Sequence, residues 1–356
     1  MPPRVAVLVP SWLGDAVMAL AAIGDVRRAF PDSALVVAAR PSMAPLFRQV
    51  AGIDEVVERP AARGLSSAWH WREDAARLAA ARADIAILLP NSFASAWVTR
   101  AARIPERWGY RTDVRTGLLT RAVARPRGSV HQSEYYRRLA AALGMRTEGP
   151  PLPIAVGEEE AARARQVLLD EGCPGGARLV GVAPGAAYGH AKQWPPSSYA
   201  ELIRRITADS DATAVLVGSA ADRGAAIEVE RGLARAGVTA RAGGNGLARW
   251  VNLVGRTDLA LAIAVAAACR AFVSNDSGAM HLAAAVGVPV TALFGPTRER
   301  ETAPLPADVH TVLTNLVWCR PCMLRECPID HRCMTGISVE RVLDAVRGKL
   351  DATRDR

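Results

Sequence analysis

Four stretches of the chain carry residues whose types and spacing could do chemistry. Ser274-Asn275-Asp276-Ser277-Gly278, with His281 three positions on, gathers a carboxylate, hydroxyls and a glycine in one turn. Asp276 or Ser277 can cap a helix that begins there, and the N–H groups behind them make a seat for an anionic or hydroxyl-rich ligand. For an isolated turn, an ordinary Asp cap is the plain alternative. Pro184-Gly185-Ala186-Ala187-Tyr188-Gly189-His190-Ala191-Lys192-Gln193-Trp194-Pro195 combines small residues, which expose backbone N–H groups, with one lysine that can meet a phosphate as a point charge. Pro10-Ser11-Trp12-Leu13-Gly14-Asp15 places a carboxylate at a helix start, where it either faces a ligand or only caps. Cys319, Cys322, Cys327 and Cys333, with His331 among them, could hold Zn²⁺. Zinc ribbons pair two C-x-x-C units, however, and only one is present, so reduced or redox-variable thiols are the expectation and no metal is assigned.

Alternating strand-like and helical segments must position these stretches, the signature of βαβ units around parallel sheets. Strands are expected over residues 4–9, 35–39, 53–57, 85–89 and 107–110, and then over 179–183, 212–217, 251–254, 271–274 and 288–294. Helices are expected over 16–29, 131–143, 161–169 and 258–268, with Ser198 and Glu201 at capping-box spacing before another. In the second half five successive strands lead into Gly185, into Gly218-Ser219, into Gly255-Arg256-Thr257, into the Asp276 turn and into Gly295-Pro296-Thr297. Ligands of open α/β sheets collect at the carboxyl ends of strands, so this edge reads as a nucleotide site. The first βα turn lacks G-x-G-x-x-G, which argues against a dinucleotide role. Arg111, Arg115, Arg121, Arg125 and Arg127 show no convincing periodicity and read as an acceptor-binding or membrane-facing loop, or as a solvated basic connection. Cys173 and Cys269 read as small hydrophobes.

The length suggests two domains, and Gly149-Pro150-Pro151-Leu152-Pro153 is the best boundary. The division expected is 1–150, 151–337 and a last amphipathic helix over 338–356, whose Val339, Val342, Leu343, Val346 and Leu350 could pack back on the first domain. The net charge is +9, and residues 1–150 hold 21 arginines against 13 acidic residues, so the first half carries nearly all of it. Such an excess favours anionic partners. Nucleic acid is not among them, because no recognition motif or interleaved aromatics accompany the charge. No apolar run nears the roughly 20 residues that span a bilayer and no signal peptide is read, so a cytoplasmic protein is expected.

Together the Trp12–Asp15 loop, Pro184-Gly185 through Lys192-Gln193-Trp194-Pro195, Asp276-Ser277-Gly278 through His281, and the cysteine run resemble the heptosyltransferases of glycosyltransferase family 9, in order over nearly the whole chain. The Trp12 loop and the cysteines bring it nearest the type II branch. The resemblance implies an α/β GT-B fold, two Rossmann-like domains facing across a cleft, with the acceptor on the first and the ADP-sugar on the second. It implies inverting, metal-independent transfer of heptose from ADP-L-glycero-D-manno-heptose to the heptosylated Kdo–lipid A inner core of lipopolysaccharide. Other implied features are a monomer, and a position peripheral on the inner face of the inner membrane, against an anionic surface.

On these residues the resemblance makes Asp15 the general base and gives Lys192, Gly185 and Ala186 the diphosphate. Asp276 takes heptose hydroxyls, Ser277 and Gly278 take phosphate, and His281 supports the same corner. Gly218, Ser219 and Thr257 lie near adenosine, while Trp12, Gly14, Arg111 and Arg115 are acceptor candidates. A carboxylate at a helix start is a weak base, which suits a late proton loss from an oxocarbenium-like transition state. Inverting transfer needs only one such group, unlike a glycosidase pair. The alternatives are another acceptor or nucleotide sugar, as in the type I or III branches, and a non-catalytic sugar-nucleotide or lipid-binding protein. Asp209-Ser210-Asp211 has the D-x-D form of metal-dependent glycosyltransferases but lies at the wrong edge, and reads as a turn.

Overall fold

The computed structural model describes residues 1–60, 67–209, 212–240 and 249–352, so the Asp209-Ser210-Asp211 turn and the last four residues lie outside the side chains it describes. The chain divides into two compact units, Met1–Ala155 and Val156–Arg356.

The first unit is built on a parallel sheet of β1 (Val5–Leu8), β2 (Leu35–Ala39), β3 (Glu55–Glu58), β4 (Ile85–Leu88), β5 (Glu106–Tyr110) and β6 (Arg121–Val123). Their spatial order is β3-β2-β1-β4-β5-β6. The inner strands are uninterrupted apolar runs because helices cover both faces of a parallel sheet; every residue of β1, β2 and β4 is buried. β6 was not expected. It lies inside the segment read as a basic connection, where Arg121 stacks 4.6 Å from the Trp108 ring and donates to Leu143 O at 3.2 Å. The helix expected from residue 16 starts earlier, as Leu13–Met18, and continues from Ala19 into Leu20–Ala29.

The expected boundary at residues 149–153 is tied to the first unit. Arg137 donates to Gly149 O and Arg28 to Pro150 O, both anchored on the fully buried Asp25. Ala51 N and Ala155 N complete the attachment through Pro153 O and Gln49 O. The division therefore falls after residue 155.

The second unit repeats the plan with β7 (Arg178–Ala183), β8 (Ala212–Leu216), β9 (Trp250–Asn252), β10 (Ala271–Asn275), β11 (Val290–Phe294) and β12 (Thr311–Thr314). The order β12-β11-β10-β7-β8-β9 is the first unit's order read from the other side. Both are the doubly wound arrangement, whose strand order reverses between the first and fourth strands, and ligands bind at that switch point. In β10, Ala271 and Val273 face one core while Phe272 enters the other. Each such side chain of Val or Phe size stabilises the fold by about 1.5–3 kcal/mol when fully buried.

The helix Pro196–Asp209 starts at Pro196, so Ser198 lies inside it and the expected Ser198–Glu201 cap does not form. Proline is the better first-turn residue, having no N–H to leave unpaired; Glu201 instead meets Arg204 and Arg205. The last helix, Val339–Ala352, buries Val342, Leu343, Val346 and Leu350 in the second unit's core. Packing back on the first domain is not needed to cover that face.

Candidate active site

The second unit's switch point lies between β7 and β10, and the loops leaving these strands carry Lys192 and Asp276. Asp276 is 5% exposed. Its Oδ2 accepts from Lys192 Nζ at 2.5 Å and from Thr297 Oγ1 at 2.7 Å, and its Oδ1 accepts from Thr302 Oγ1 at 3.4 Å. The lysine ammonium also sits 4.8 Å from the centre of the Tyr188 ring, a cation–π contact. Neither candidate cap closes the following helix, Gly278–Ala285. Ser277 is its N-cap residue but makes no side-chain cap bond, and its Oγ pairs with Ser274 Oγ at 3.0 Å. The plain alternative of an Asp cap does not form; Asp276 makes the ion pair instead, and the first N–H groups beside that pair have no side-chain cap. A helix start of this kind favours negative charge. His281 is buried one turn further on.

Asn275, for which sequence reasoning offered no role, underlies this arrangement. It is fully buried. Its Oδ1 accepts from Trp194 N and Tyr199 OH, both at 2.9 Å, and its Nδ2 donates to Pro184 O at 2.8 Å and Gly185 O at 3.2 Å. Burial pushes the Tyr199 phenol far above its ordinary range, so it remains a donor.

The neighbouring loops converge as the strand order requires. A Cβ on Gly185 would fall 1.9 Å from the Asp222 carboxylate, so no larger residue fits there. Asp222 in turn accepts from Ser219 N and Ser219 Oγ at 2.8 Å, closing a reciprocal cap. Gly255 N reaches Gly218 O at 3.0 Å, which sets Thr257 two residues beyond this contact. Gly185, Ala186, Lys192, Gly218, Ser219, Asp276, Ser277 and Gly278 therefore belong to adjoining loops of one sheet edge, together with Thr297 and Thr302.

The cysteine run is not a separate feature. It straps the Lys192 loop: backbone Met323 O accepts from Tyr188 OH at 2.8 Å and Arg325 O from Ala191 N at 2.9 Å, and the His331 side chain brings Nε2 to 2.8 Å from Ala191 O. His190 Nδ1 meets Glu326 at 2.9 Å. A Cβ on Gly189 would come within 2.4 Å of Arg325 O, so this glycine is what permits the approach. All four cysteines are free thiols, and burial with the neighbouring thiols pushes Cys333 up. Among the described residues no group of three or more His, Cys, Asp or Glu is placed to hold a metal ion. Cys173 and Cys269 are buried core thiols, which burial pushes up to about 11 and about 12.

In the first unit the corresponding loops leave β1 and β4. Trp12 is the N-cap residue of Leu13–Met18 and is 60% exposed. Gly14 and Asp15 follow in the first turn, and the Asp15 charge contributes to raising the buried Tyr136 phenol. Asn91 Nδ2 donates to Tyr135 OH at 2.8 Å. Arg115 requires a correction. It is fully buried, and its guanidinium donates to Tyr110 O, Pro90 O, Ser92 O and Ser95 Oγ. Burial lowers its pKa to about 10. A guanidinium so enclosed braces the β4 and β5 loops and has no surface for an acceptor. Arg111, by contrast, is exposed at the end of β5, as are Arg125 and Arg127 beyond β6.

The profile of Glycosyltransferase family 9 (heptosyltransferase) matches residues 71–332. The chain is 34% identical to lipopolysaccharide heptosyltransferase 2 of Escherichia coli K12, over 98% of each chain. It is 33% identical to lipopolysaccharide heptosyltransferase 2 of Salmonella typhimurium over 85% of each. The solved structure of E. coli ADP-heptose lipopolysaccharide heptosyltransferase II superposes with a TM-score of 0.80 at 29% identity, covering 98% of this chain and 99% of the other. The two parallel six-stranded units match the GT-B architecture of such structures. With a family match over most of its length and relatives that align from end to end, the chain belongs to glycosyltransferase family 9, the heptosyltransferases.

Proposed function

We propose that this glycosyltransferase moves heptose from ADP-L-glycero-D-manno-heptose to the heptosylated Kdo–lipid A inner core of lipopolysaccharide, with inversion and without a metal. The observation that carries the donor half is the buried Lys192–Asp276 pair beside the uncapped start of Gly278–Ala285, at the second unit's switch point. The diphosphate draws Lys192 from Asp276 and takes N–H groups from Ser277, Gly278 and the Gly185–Ala186 turn. Released from the lysine, Asp276 accepts from a heptose hydroxyl, with Thr297 and Thr302 holding the carboxylate in place. His281 supports the same corner from within the helix. Adenosine lies along Gly218, Ser219 and Thr257.

The acceptor half belongs to the first unit, with Trp12 as a sugar-stacking surface, Gly14 as a close-approach point and Arg111 for acceptor phosphate. Asp15 takes the proton of the acceptor hydroxyl as that oxygen bonds to the anomeric carbon from the face opposite ADP. The anomeric C–O bond breaks and ADP leaves with the electron pair. Its growing negative charge is met by Lys192 and the helix N–H groups, which cost no reorganisation because they are already in place. Nothing in this scheme needs a divalent ion or zinc.

We also propose that the enzyme works as a monomer, peripheral to the cytoplasmic face of the inner membrane. No helix among the described residues is long and apolar enough to cross a membrane, while the acceptor is anchored in one. Exposed Trp12, Phe93 and Val114, with Arg111, Arg125 and Arg127, suit an anionic lipid surface.

The test is a mass-spectrometric transfer assay with ADP-heptose, a mono-heptosylated Kdo–lipid A acceptor and EDTA. One added heptose on the lipid supports donor, acceptor class and metal independence together. ADP binding without product would send the acceptor to another branch of the family or indicate a binding protein, and absence of ADP binding would overturn the donor reading.

A further inference from the structure

We propose that Asn275 is a positioning residue for donor binding: one buried side-chain amide fastens both ends of the loop that carries Lys192. The loop leaves β7 at Pro184 and Gly185 and returns at Trp194, and the amide holds the first two by their carbonyls and the third by its N–H. Trp194 itself is fully buried, its indole donating to Ile337 O at 2.9 Å and its ring edge-on to Tyr199. Between the two fastenings lie Ala186 and Lys192, two of the residues proposed to meet the diphosphate. Asn275 is also the residue before Asp276, so one backbone link joins the clamp to the carboxylate that holds Lys192.

The chemistry of the clamp admits few substitutes. Trp194 N and Tyr199 OH require an acceptor, while Pro184 O and Gly185 O require a donor each, and only a carboxamide supplies an acceptor and two donors from one short side chain. The partners also fix which end of the amide is oxygen. An alanine would leave the Trp194 N–H and the Pro184 and Gly185 carbonyls buried without it, each costing a full desolvation, and would leave the Tyr199 hydroxyl only its longer bond to Ala183 O at 3.4 Å. An aspartate would serve the donors but turn a second oxygen on two carbonyls. Inside the fold that carboxyl is favoured in its protonated form, which restores a donor. The Asn275→Asp variant therefore carries its own chemical rescue, set by pH.

The functional consequence rests on the donor-site reading, so the experiment has two arms. Hydrogen exchange followed by mass spectrometry reads peptides covering residues 184–194 without any ligand. Calorimetric ADP affinity, taken relative to the parent protein at the same pH, reads the consequence. Near pH 8, about the condition that ionises a modestly raised carboxyl, N275D is expected to exchange faster in 184–194 and to bind ADP about tenfold or more weakly. Near pH 5.5, about where such a group reprotonates, both should return toward the parent. N275A should be impaired at both pH values. The gentler Tyr199→Phe removes only one support of Oδ1 and should give a smaller rise in exchange, which keeps the test decisive should N275A not fold.

Parent-like exchange in 184–194 for both N275D and Y199F would overturn the clamp. Faster exchange with ADP affinity unchanged would reduce Asn275 to a packing residue and overturn its role in donor binding. A parent protein that binds no ADP would instead refute the donor-site reading, and the exchange arm alone would then decide the clamp.

Discussion

Lys192 is both the partner of a buried carboxylate and the proposed cation for the diphosphate, and the two roles can be separated. Lys192 and Asp276 have side chains only 12% and 5% exposed. Replacing Lys192 by Gln leaves the Asp276 charge enclosed with only Thr297 and Thr302 hydroxyls, and breaking a pair of this burial costs about 3–5 kcal/mol. In a unit of this size that lowers the melting temperature by about 6–20 °C, at 2–4 °C per kcal/mol. The same substitution removes a charged hydrogen bond to phosphate worth about 1.5–3 kcal/mol, so ADP affinity should fall about 10- to 150-fold.

Asp276→Asn tells these effects apart. Combined with Lys192→Gln it removes the orphaned charge, and stability should return to within about 1 kcal/mol of the parent, since neutral replacement of a buried pair is often harmless. ADP affinity should stay low, because the phosphate cation is still missing. Asp276→Asn alone should bind ADP at least as well as the parent, as the lysine is no longer held by a competing anion, while turnover with the ADP-sugar drops. Differential scanning fluorimetry and titration calorimetry on the four proteins give both quantities. Recovery of ADP binding in the double variant would refute the reasoning, since the lysine would then have acted only through the carboxylate. Unchanged ADP affinity in Lys192→Gln would do the same.

Other outcomes follow from the same geometry. Asp15→Asn should lower kcat by about 10²–10⁴, the usual contribution of a general base, with ADP affinity within about threefold of the parent; unaltered turnover would remove Asp15 from the mechanism. Burial lowers the His310 pKa, and its Nδ1 accepts from Val290 N at 3.1 Å, so the fold needs the neutral ring. The unfolded chain then binds this proton more readily than the native one, so stability is full above about pH 6.5 and falls below it by up to about 1.4 kcal/mol per pH unit. His310→Gln should flatten that acid slope in urea titrations across the same range, and an identical slope would contradict the assignment. Gly189→Ala should push Arg325 O, and the strap with it, away from the Lys192 loop. The expected signs are a several-fold loss of ADP affinity and faster reaction of Cys322 and Cys327 with a thiol reagent; parent-like thiol reactivity would count against the coupling.

What could be read from the chain depended on whether a residue acts through local pattern or through distant partners. Uninterrupted apolar runs such as Val5–Leu8 and Ile85–Leu88 announced parallel strands, because two-sided burial is a local property of composition. Lys192 and the Asp276 turn stood out for a similar reason: each lies in a loop leaving a strand, among residue types that suit an anion. β6 was missed because it is only three residues long and opens on an arginine; Arg121 sits over the Trp108 ring, a contact that exists only after β5 and β6 pair. Arg115 looked like a surface cation for want of any sequence sign that four oxygen acceptors, three from residues 90–95 and one from the end of β5, would enclose it.

The same distinction explains the site's hidden half. Asn275 and Thr302 reach partners 91 and 26 positions away, and nothing in the residues around them reports that. The cysteine run drew attention as potential metal chemistry, whereas its observed contacts to the Lys192 loop are made by the backbone carbonyls of Met323 and Arg325 and by side chains of Glu326 and His331. A loop held by one amide from below and by a strap from outside enters ligand binding already shaped. That order is created when β10 pairs with β7, and it is the reason candidate site residues could be singled out in the sequence while the groups that hold them in place could not.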